Sequence, residues 1–206
     1  MNEKSVQIKS PNFMTAVFGI KGTSPLVIHR FNIKAKKQMV DDYERGSKNN
    51  AGKKKHEPKD LDAAVEECKY VSPQGWEGFH AAAIRKSIIS ACRVVNFKMT
   101  LAKLSVFVIE DGRDKFEPQI PLIRIYGKAV RQDDIGRTST GDIILINRPA
   151  YHDWSAKVKI RWDGDQFSIE DIANLLSRAG YGGIGEGRND SKDSAGMGWG
   201  CFEVTK

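Results

Sequence analysis

The residues best suited to chemistry lie near the C-terminal end of the sequence, where two glycine clusters flank an arginine. The segment reads Gly-Tyr-Gly-Gly-Ile-Gly-Glu-Gly-Arg over 180–188 and Gly-Met-Gly-Trp-Gly-Cys over 196–201. Glycine permits positive φ and close approach of another backbone, and successive free N–H groups in such a loop can cradle phosphates. The planar guanidinium fork of Arg188 matches a pair of phosphate oxygens. The pattern therefore predicts binding of a phosphate-bearing ligand.

The spacing of these glycines differs from the familiar nucleotide-binding loops. A dinucleotide fingerprint follows a strand and opens a helix, whereas these glycines follow a predicted helix and lead into a final strand. No Gly-Lys-Ser/Thr ends the segment, so it is not a P-loop. A helix C-cap accounts for Gly180 alone. The two clusters together favour a functional loop, with Gly183 and Gly185 against the ligand. Tyr181 and Trp199 are candidates for stacking on bases, although Trp199 equally suits packing against the last strand.

Basic side chains elsewhere in the sequence are further candidates for phosphate contacts. One group follows the first predicted strand, and another lies on a predicted helix at 76–95. Both groups fit a solvated surface about as well as they fit phosphate contacts. A predicted hairpin at about 128–148 has few core-forming residues near its tip, which favours a grip on a strand or on a neighbouring subunit. The candidates are His29, Arg30, Lys34, Lys36, Lys37, Lys53, Lys54, Lys55, Arg85, Lys86, Arg93, Arg131, Arg137 and Arg148.

The histidines and cysteines form no recognisable metal or catalytic motif. The sequence has four histidines and three cysteines, and none of them lies in a HExxH, a CxxC or a Cys/His pair at zinc spacing. No GxSxG marks a serine nucleophile. We therefore expect no metal, no cofactor and no enzymatic activity.

The bulk composition suits one globular domain with a polyanionic partner. The 206 residues are 40% hydrophobic, and 33 Lys and Arg against 26 Asp and Glu give a formal net charge of +7. An odd, sparse set of cysteines favours reduced thiols. No stretch approaches the ~20 apolar residues of a membrane span, and no apolar signal core lies near the first residue. We expect a cytoplasmic protein without membrane attachment.

The elements that must position these residues alternate between strands and helices. The helix at 169–179 is preceded by a capping box, Ser168 to Asp171, and strand 155–162 alternates apolar residues with basic ones. The segment at about 32–71 is polar and reads as an insertion that holds a helix at 60–70 and a mobile loop at 46–58. The remaining predicted strands are 12–21, 104–109, 120–127 and 200–205.

The resulting order is strand, helix, strand, strand, helix, strand, within one domain over residues 1–206. This is the βαββαβ order of ferredoxin-like domains, an α+β class. The RNA-recognition fold has the same order, and its open sheet face binds single strands.

The C-terminal segment resembles the signature loop of the RAMP superfamily, the RNA-binding backbone proteins of CRISPR effector complexes. The likeness lies in Gly-Ile-Gly-Glu-Gly-Arg, a polar gap and Gly-Met-Gly-Trp-Gly-Cys-Phe-Glu-Val. The βαββαβ order, the insertion after the first strand and the hairpin are similar to those of backbone subunits. The segment 22–31, followed by Lys34, Lys36 and Lys37, resembles small proteins carried by bacteriophages.

The resemblance implies a sequence-independent binder of single-stranded RNA or DNA that oligomerises along the strand, with the hairpin as a thumb. It would act as a phage annealing protein or as a guide-RNA backbone subunit, in the cytoplasm of a bacterium or a phage-infected host, alongside other effector or recombination subunits. A RAMP-type metal-independent endoribonuclease is one alternative, with His29 and Asp41 or Asp42 as candidate catalytic residues. A structural subunit that docks an acidic protein is another.

Overall fold

The computed structural model of the chain describes residues 8–45, 60–137, 140–191 and 196–205. Within these residues, helices and antiparallel strands make an α+β protein with three sheets. The expected α+β class is confirmed. In this described part no helix is both long and apolar enough to cross a membrane.

The central sheet has four antiparallel strands in the order β11 (Phe202–Thr205), β1 (Phe13–Gly22), β10 (Ser155–Asp163) and β5 (Val106–Ile109). Because side chains alternate along a strand, β10 buries Ala156, Val158, Ile160 and Trp162 and exposes the basic residues between them. The opposite face of this sheet therefore presents basic side chains from β10. The alternation read from the sequence is thus realised in β10.

Two helices cover the buried face of the central sheet. Helix α3 (Ala82–Ala91) buries Ile84 and Ile88, and α5 (Ile169–Gly182) packs against it in the same core. Full burial of such a side chain is worth about 1.5–3 kcal/mol. The capping box predicted at Ser168 is confirmed, because its hydroxyl accepts from the N–H of Asp171 and the Asp171 carboxylate accepts from the N–H of Ser168.

A second sheet consists of β3 (Tyr70–Val71), β4 (Glu77–His80), β7 (Pro121–Arg124) and β6 (Gly112–Arg113). The prediction that one helix spans 76–95 is wrong at its start. Glu77–His80 is a strand that pairs with β7, and the helix begins only at Ala82. The strand predicted at 104–109 is also shorter, since α4 (Met99–Ser105) precedes β5.

A long hairpin projects beside these sheets. Its strands are β8 (Ala129–Arg137) and β9 (Ile143–Tyr151), and the short β2 (Leu26–Val27) pairs with the base of β9. At this base Tyr151 is fully buried, and its hydroxyl donates to Glu77 at 2.7 Å. The hairpin is thus anchored at one end, while its far end stands in solvent.

The segment that reads as an insertion contains two helices, α1 (Ile33–Glu44) and α2 (Leu61–Glu67). Their side-chain caps are Asn32 and Asp60, each of which accepts from N–H groups of the first turn. Helix α1 buries none of its residues, whereas α2 lies against β9. The loop predicted at 46–58, with Lys53, Lys54 and Lys55, lies outside the described residues.

Candidate nucleic-acid interface

A groove of about 710 Å³ runs between α3, the segment after β2 and the glycine-rich loop. This cavity is called the groove below. It is lined by predicted binding residues from three separate segments of the sequence. The predicted site residues that line it are His29, Lys86, Arg93, Gly183, Gly185 and Arg188.

Backbone hydrogen bonds fix the glycine-rich loop against the rest of the domain. The N–H of Glu186 donates to the Val27 carbonyl at 2.9 Å, and the N–H of Gly200 donates to the Pro25 carbonyl at 2.7 Å. The N–H of Ile184 donates to the Gly200 carbonyl at 3.0 Å, which joins the two glycine clusters. Backbone hydrogen bonds therefore hold one wall of the groove, the glycine-rich loop, against β2.

Gly183 and Gly185 are glycines for reasons of backbone geometry. Their φ values are +74° and +78°. A Cβ at Gly183 would lie 2.6 Å from the Trp199 carbonyl oxygen, and a Cβ at Gly185 would lie 2.5 Å from the Val27 carbonyl oxygen. Any other residue would be strained and would collide with backbone. Among the residues described, the N–H of Gly185 donates to no acceptor, and Gly185 lines the groove.

The cations of the groove differ in how far they are neutralised. Lys86 is exposed, and no ion pair within the described ranges involves it. Arg93 lies 2.6 Å from the Asp190 carboxylate, an ion pair that offsets its charge. The Nη1 of Arg188 donates to the Gly185 carbonyl at 3.0 Å, which holds the guanidinium beside the glycine-rich loop. Lys86 and Arg188 are therefore the two cations best placed for a phosphate.

Two histidines contribute to the wall of the groove. Burial lowers the pKa of His29, and the neighbouring Arg148 lowers it further, while the Nδ1 atom lies 4.0 Å from the Cys68 sulfur. Burial and then the charge of Lys86 lower the pKa of His80, whose Nδ1 accepts from the Ala82 N–H at 3.0 Å. Both imidazoles thus favour the neutral form. Sequence reasoning missed His80, because no local motif surrounds it.

Arg30 was expected at the interface, but it is 2% exposed. Its Nη2 donates to Asp114 at 2.9 Å, and its guanidinium lies 4.9 Å from the centre of the Phe116 ring. Asp114 also accepts from the N–H groups of Val71, Phe116 and Glu117. Arg30 is a buried structural residue, and its assignment to strand binding is corrected here.

Arg85 does not accompany Lys86 into the groove. Its guanidinium donates to the carbonyls of Val106 and Lys103 and lies 5.7 Å from the centre of the Phe107 ring. Consecutive helical residues point about 100° apart, so Arg85 turns to the edge of the central sheet while Lys86 turns to the groove.

The remaining basic candidates lie away from the groove, and most are paired with carboxylates. Lys34 pairs with Glu67 at 2.9 Å, and Lys36 pairs with Glu117. Lys37 is an exposed residue of α1. On the hairpin, Arg131 pairs with Asp62 and Asp133, and Arg137 near the tip donates to the Gly141 carbonyl.

Arg148 links the hairpin to the glycine-rich loop. Its side chain is 18% exposed and lies 3.6 Å from Asp134 and 3.7 Å from Glu186. Its Nε is buried without a partner. Arg148 does not line the groove. It holds the hairpin and the glycine-rich loop together through Asp134 and Glu186.

The two aromatic candidates have different environments. Tyr181 is 80% exposed and does not line the groove, but it lines a neighbouring pocket that shares Arg93 and Asp190 with it. Trp199 is half-buried, and its ring lies so close to Gly187 that a Cβ there would be 2.5 Å from it. The Trp199 ring therefore packs within the glycine-rich loop, against Gly187.

No protein-family model matches the chain, and no curated protein matches it. Across the described ranges, no group of three or more His, Cys, Asp and Glu is placed to hold a metal ion. The site must therefore be judged on its own geometry.

Proposed function

We propose that this protein binds single-stranded nucleic acid without sequence specificity and oligomerises along the strand. The observation that carries the proposal is the groove, in which Lys86 and Arg93, in and just after α3, line the same cavity as Arg188 of the glycine-rich loop. Cations and backbone N–H groups on one concave surface match the phosphates of a strand. Phosphates carry no sequence information, which accounts for the lack of specificity.

The architecture supports the relationship to the RAMP superfamily that the sequence indicates. If β1, β5, β10 and β11 are numbered one to four, their order in the sheet is four, one, three, two, and all neighbours are antiparallel. With α3 and α5 as crossovers, this order supports the proposal of a ferredoxin-like core. In this proposal the hairpin is a thumb, and the protein acts in the cytoplasm of a bacterium or an infected host.

The hairpin also supports oligomerisation. Near its tip, Ile135, Ile143 and Leu145 are 77%, 67% and 55% exposed. Ile135 lies directly opposite Leu145 in the register, and Arg137 lies opposite Ile143, so the three apolar side chains share one face. A second copy of the chain would cover this face as subunits assemble on a strand. The double variant Ile135→Ser/Leu145→Ser should bind a short strand normally but lose the gain in affinity with length.

Fluorescence anisotropy with labelled single-stranded DNA, single-stranded RNA and duplex DNA tests the proposal. We expect binding to single strands that weakens steeply with salt and strengthens with length. The ratio of the DNA and RNA affinities separates a recombination role from a guide-RNA role. Absence of binding at moderate salt would refute the proposal. Binding to an acidic protein instead would favour the structural-subunit alternative.

A metal-independent endoribonuclease is the second candidate, favoured by the presence of His29 and His80 in the same groove. Neutral imidazoles can accept a proton from a ribose hydroxyl. Incubation of labelled RNA with the protein in the presence of a chelator tests this activity. Cleavage that disappears in both His29→Ala and His80→Ala would support the nuclease, and intact RNA would exclude it under those conditions.

A further inference from the structure

The face of the central sheet that points away from α3 and α5 carries an organised set of side chains. Phe18 and Val158 point into the core, so the residues that alternate with them point outward. This surface, called the sheet face below, includes Phe13, Val17, Phe107, Lys157, Lys159 and Arg161. The same register places Asp163 beside Phe13 at one end of the face, and Lys21 beside Glu203 at the other.

Three cations follow one another along the middle of the sheet face. Lys157, Lys159 and Arg161 are each two residues apart on β10, which spaces them by roughly 7 Å. In the part of the chain that the structure describes, none of the ion pairs includes any of the three. Asp163, two residues after Arg161 on β10, offsets part of the charge at that end, whereas Lys157 and Lys159 face no carboxylate across the strand pairs, and a bound polyanion would relieve their repulsion. Their directly paired neighbours are uncharged: Thr15, Val17 and Gly19 on β1, and Phe107 and Ile109 on β5.

Aromatic rings stand beside these charges. Phe13 is 49% exposed, and its ring packs edge-on against Phe107 with the ring centres 6.3 Å apart. The Arg161 guanidinium lies 4.9 Å from the centre of the Phe13 ring and 5.6 Å from that of Phe107. Exposed rings and a guanidinium plane are the groups on which unpaired bases stack.

We infer that the sheet face is a second contact surface for a single nucleic-acid strand, in addition to the groove. Lys157 and Lys159 contact phosphates, and Phe13 and Phe107 receive bases together with Arg161. This inference rests on the proposed function. The helices cover the opposite side of the sheet, so a strand on the sheet face leaves the groove open. An acidic protein would engage the cations, but the exposed ring of Phe13 and the partly exposed ring of Phe107 favour nucleic acid because every base presents a π-face.

The experiment compares Lys157→Gln/Lys159→Gln and Phe13→Leu with the control Lys103→Gln/Lys128→Gln. The control positions are exposed and line neither surface. Thermal unfolding first establishes that all the variants fold. Affinity for single strands is then measured across salt, and strands that contain 5-iodouridine are cross-linked by light and mapped by mass spectrometry.

We expect wild-type protein to cross-link at Phe13 or Phe107. The double lysine variant should lower the slope of log affinity against log salt by about 1.4, since each phosphate contact contributes about 0.7. Phe13→Leu keeps an apolar side chain but removes the ring, and it should weaken binding at least about fivefold. The control should match wild type.

The outcomes separate this inference from the proposed function. If wild type binds no strand, the proposed function itself fails. If wild type binds and the groove variant Lys86→Gln/Arg188→Gln is weaker, but the sheet-face variants match wild type and no cross-link maps there, only this inference is overturned. Loss of self-association in the sheet-face variants, with unchanged strand affinity, would assign the face to a protein partner and overturn the inference as well.

Discussion

The groove makes a quantitative prediction about salt dependence. Lys86 and Arg188 are its two cations without a carboxylate partner among the described residues, whereas Arg93 already pairs with Asp190. Each phosphate neutralised on a single strand contributes about 0.7 to the slope of log affinity against log salt. The variant Lys86→Gln/Arg188→Gln should therefore reduce this slope by about 1.4.

The size of the effect follows from that slope. Between 50 mM and 200 mM salt, wild-type affinity should fall about sevenfold further than that of the double variant. Arg93→Gln should change the slope less than either single substitution, because its removal also frees the Asp190 carboxylate. Anisotropy titrations at several salt concentrations measure these slopes, with Lys103→Gln/Lys128→Gln as the control. An unchanged slope in a folded double variant would refute the groove as the path of the strand.

Three further predictions concern stability. Asp114→Ala should destabilise the protein by about 3–5 kcal/mol in chemical denaturation, because it removes the nearer carboxylate of the buried Arg30, leaves only Glu117 at 3.6 Å, and removes the acceptor of three backbone N–H groups; a loss below about 1 kcal/mol would contradict this role. Gly185→Ala should lower the free energy of unfolding by at least about 1–2 kcal/mol from positive φ alone, whereas stability equal to wild type would show that the loop relaxes freely. Burial lowers the pKa of His29 and His80 below 6.5, so the unfolded chain binds protons first as the pH falls. The melting temperature should therefore decrease as the pH falls below about 6.5. If His29→Gln/His80→Gln lost as much melting temperature over this pH range as wild type, the two histidines would not be the cause.

Much of the local structure follows from the sequence because local patterns determine it. The capping box at Ser168 fixes the start of α5 through two hydrogen bonds within four residues. The alternation along 155–162 identifies both the buried and the basic side of β10. The spacing of Gly183, Gly185 and Arg188 likewise marks the loop that becomes one wall of the groove.

The limits of the sequence appear where partners are distant. Whether 77–80 is helix or strand depends on β7, more than forty residues later, and the pairing overrides the helical pattern that continues from 82. Nothing near His80 in the sequence indicates that it lines the groove. The side chains of Arg85 and Lys86 are neighbours in the chain, yet they face different surfaces.

The sequence alone determined that this is a basic α+β protein, and it predicted a glycine-rich loop that could bind phosphate. Only the tertiary structure decided which cations lack a carboxylate partner among the described residues. Arg30 is neutralised by Asp114, 84 positions away, while Lys86 and Arg188 meet at one groove. The physical reason is that the free charge of a side chain depends on the carboxylates that folding brings within a few ångströms of it, and chain composition does not contain that information.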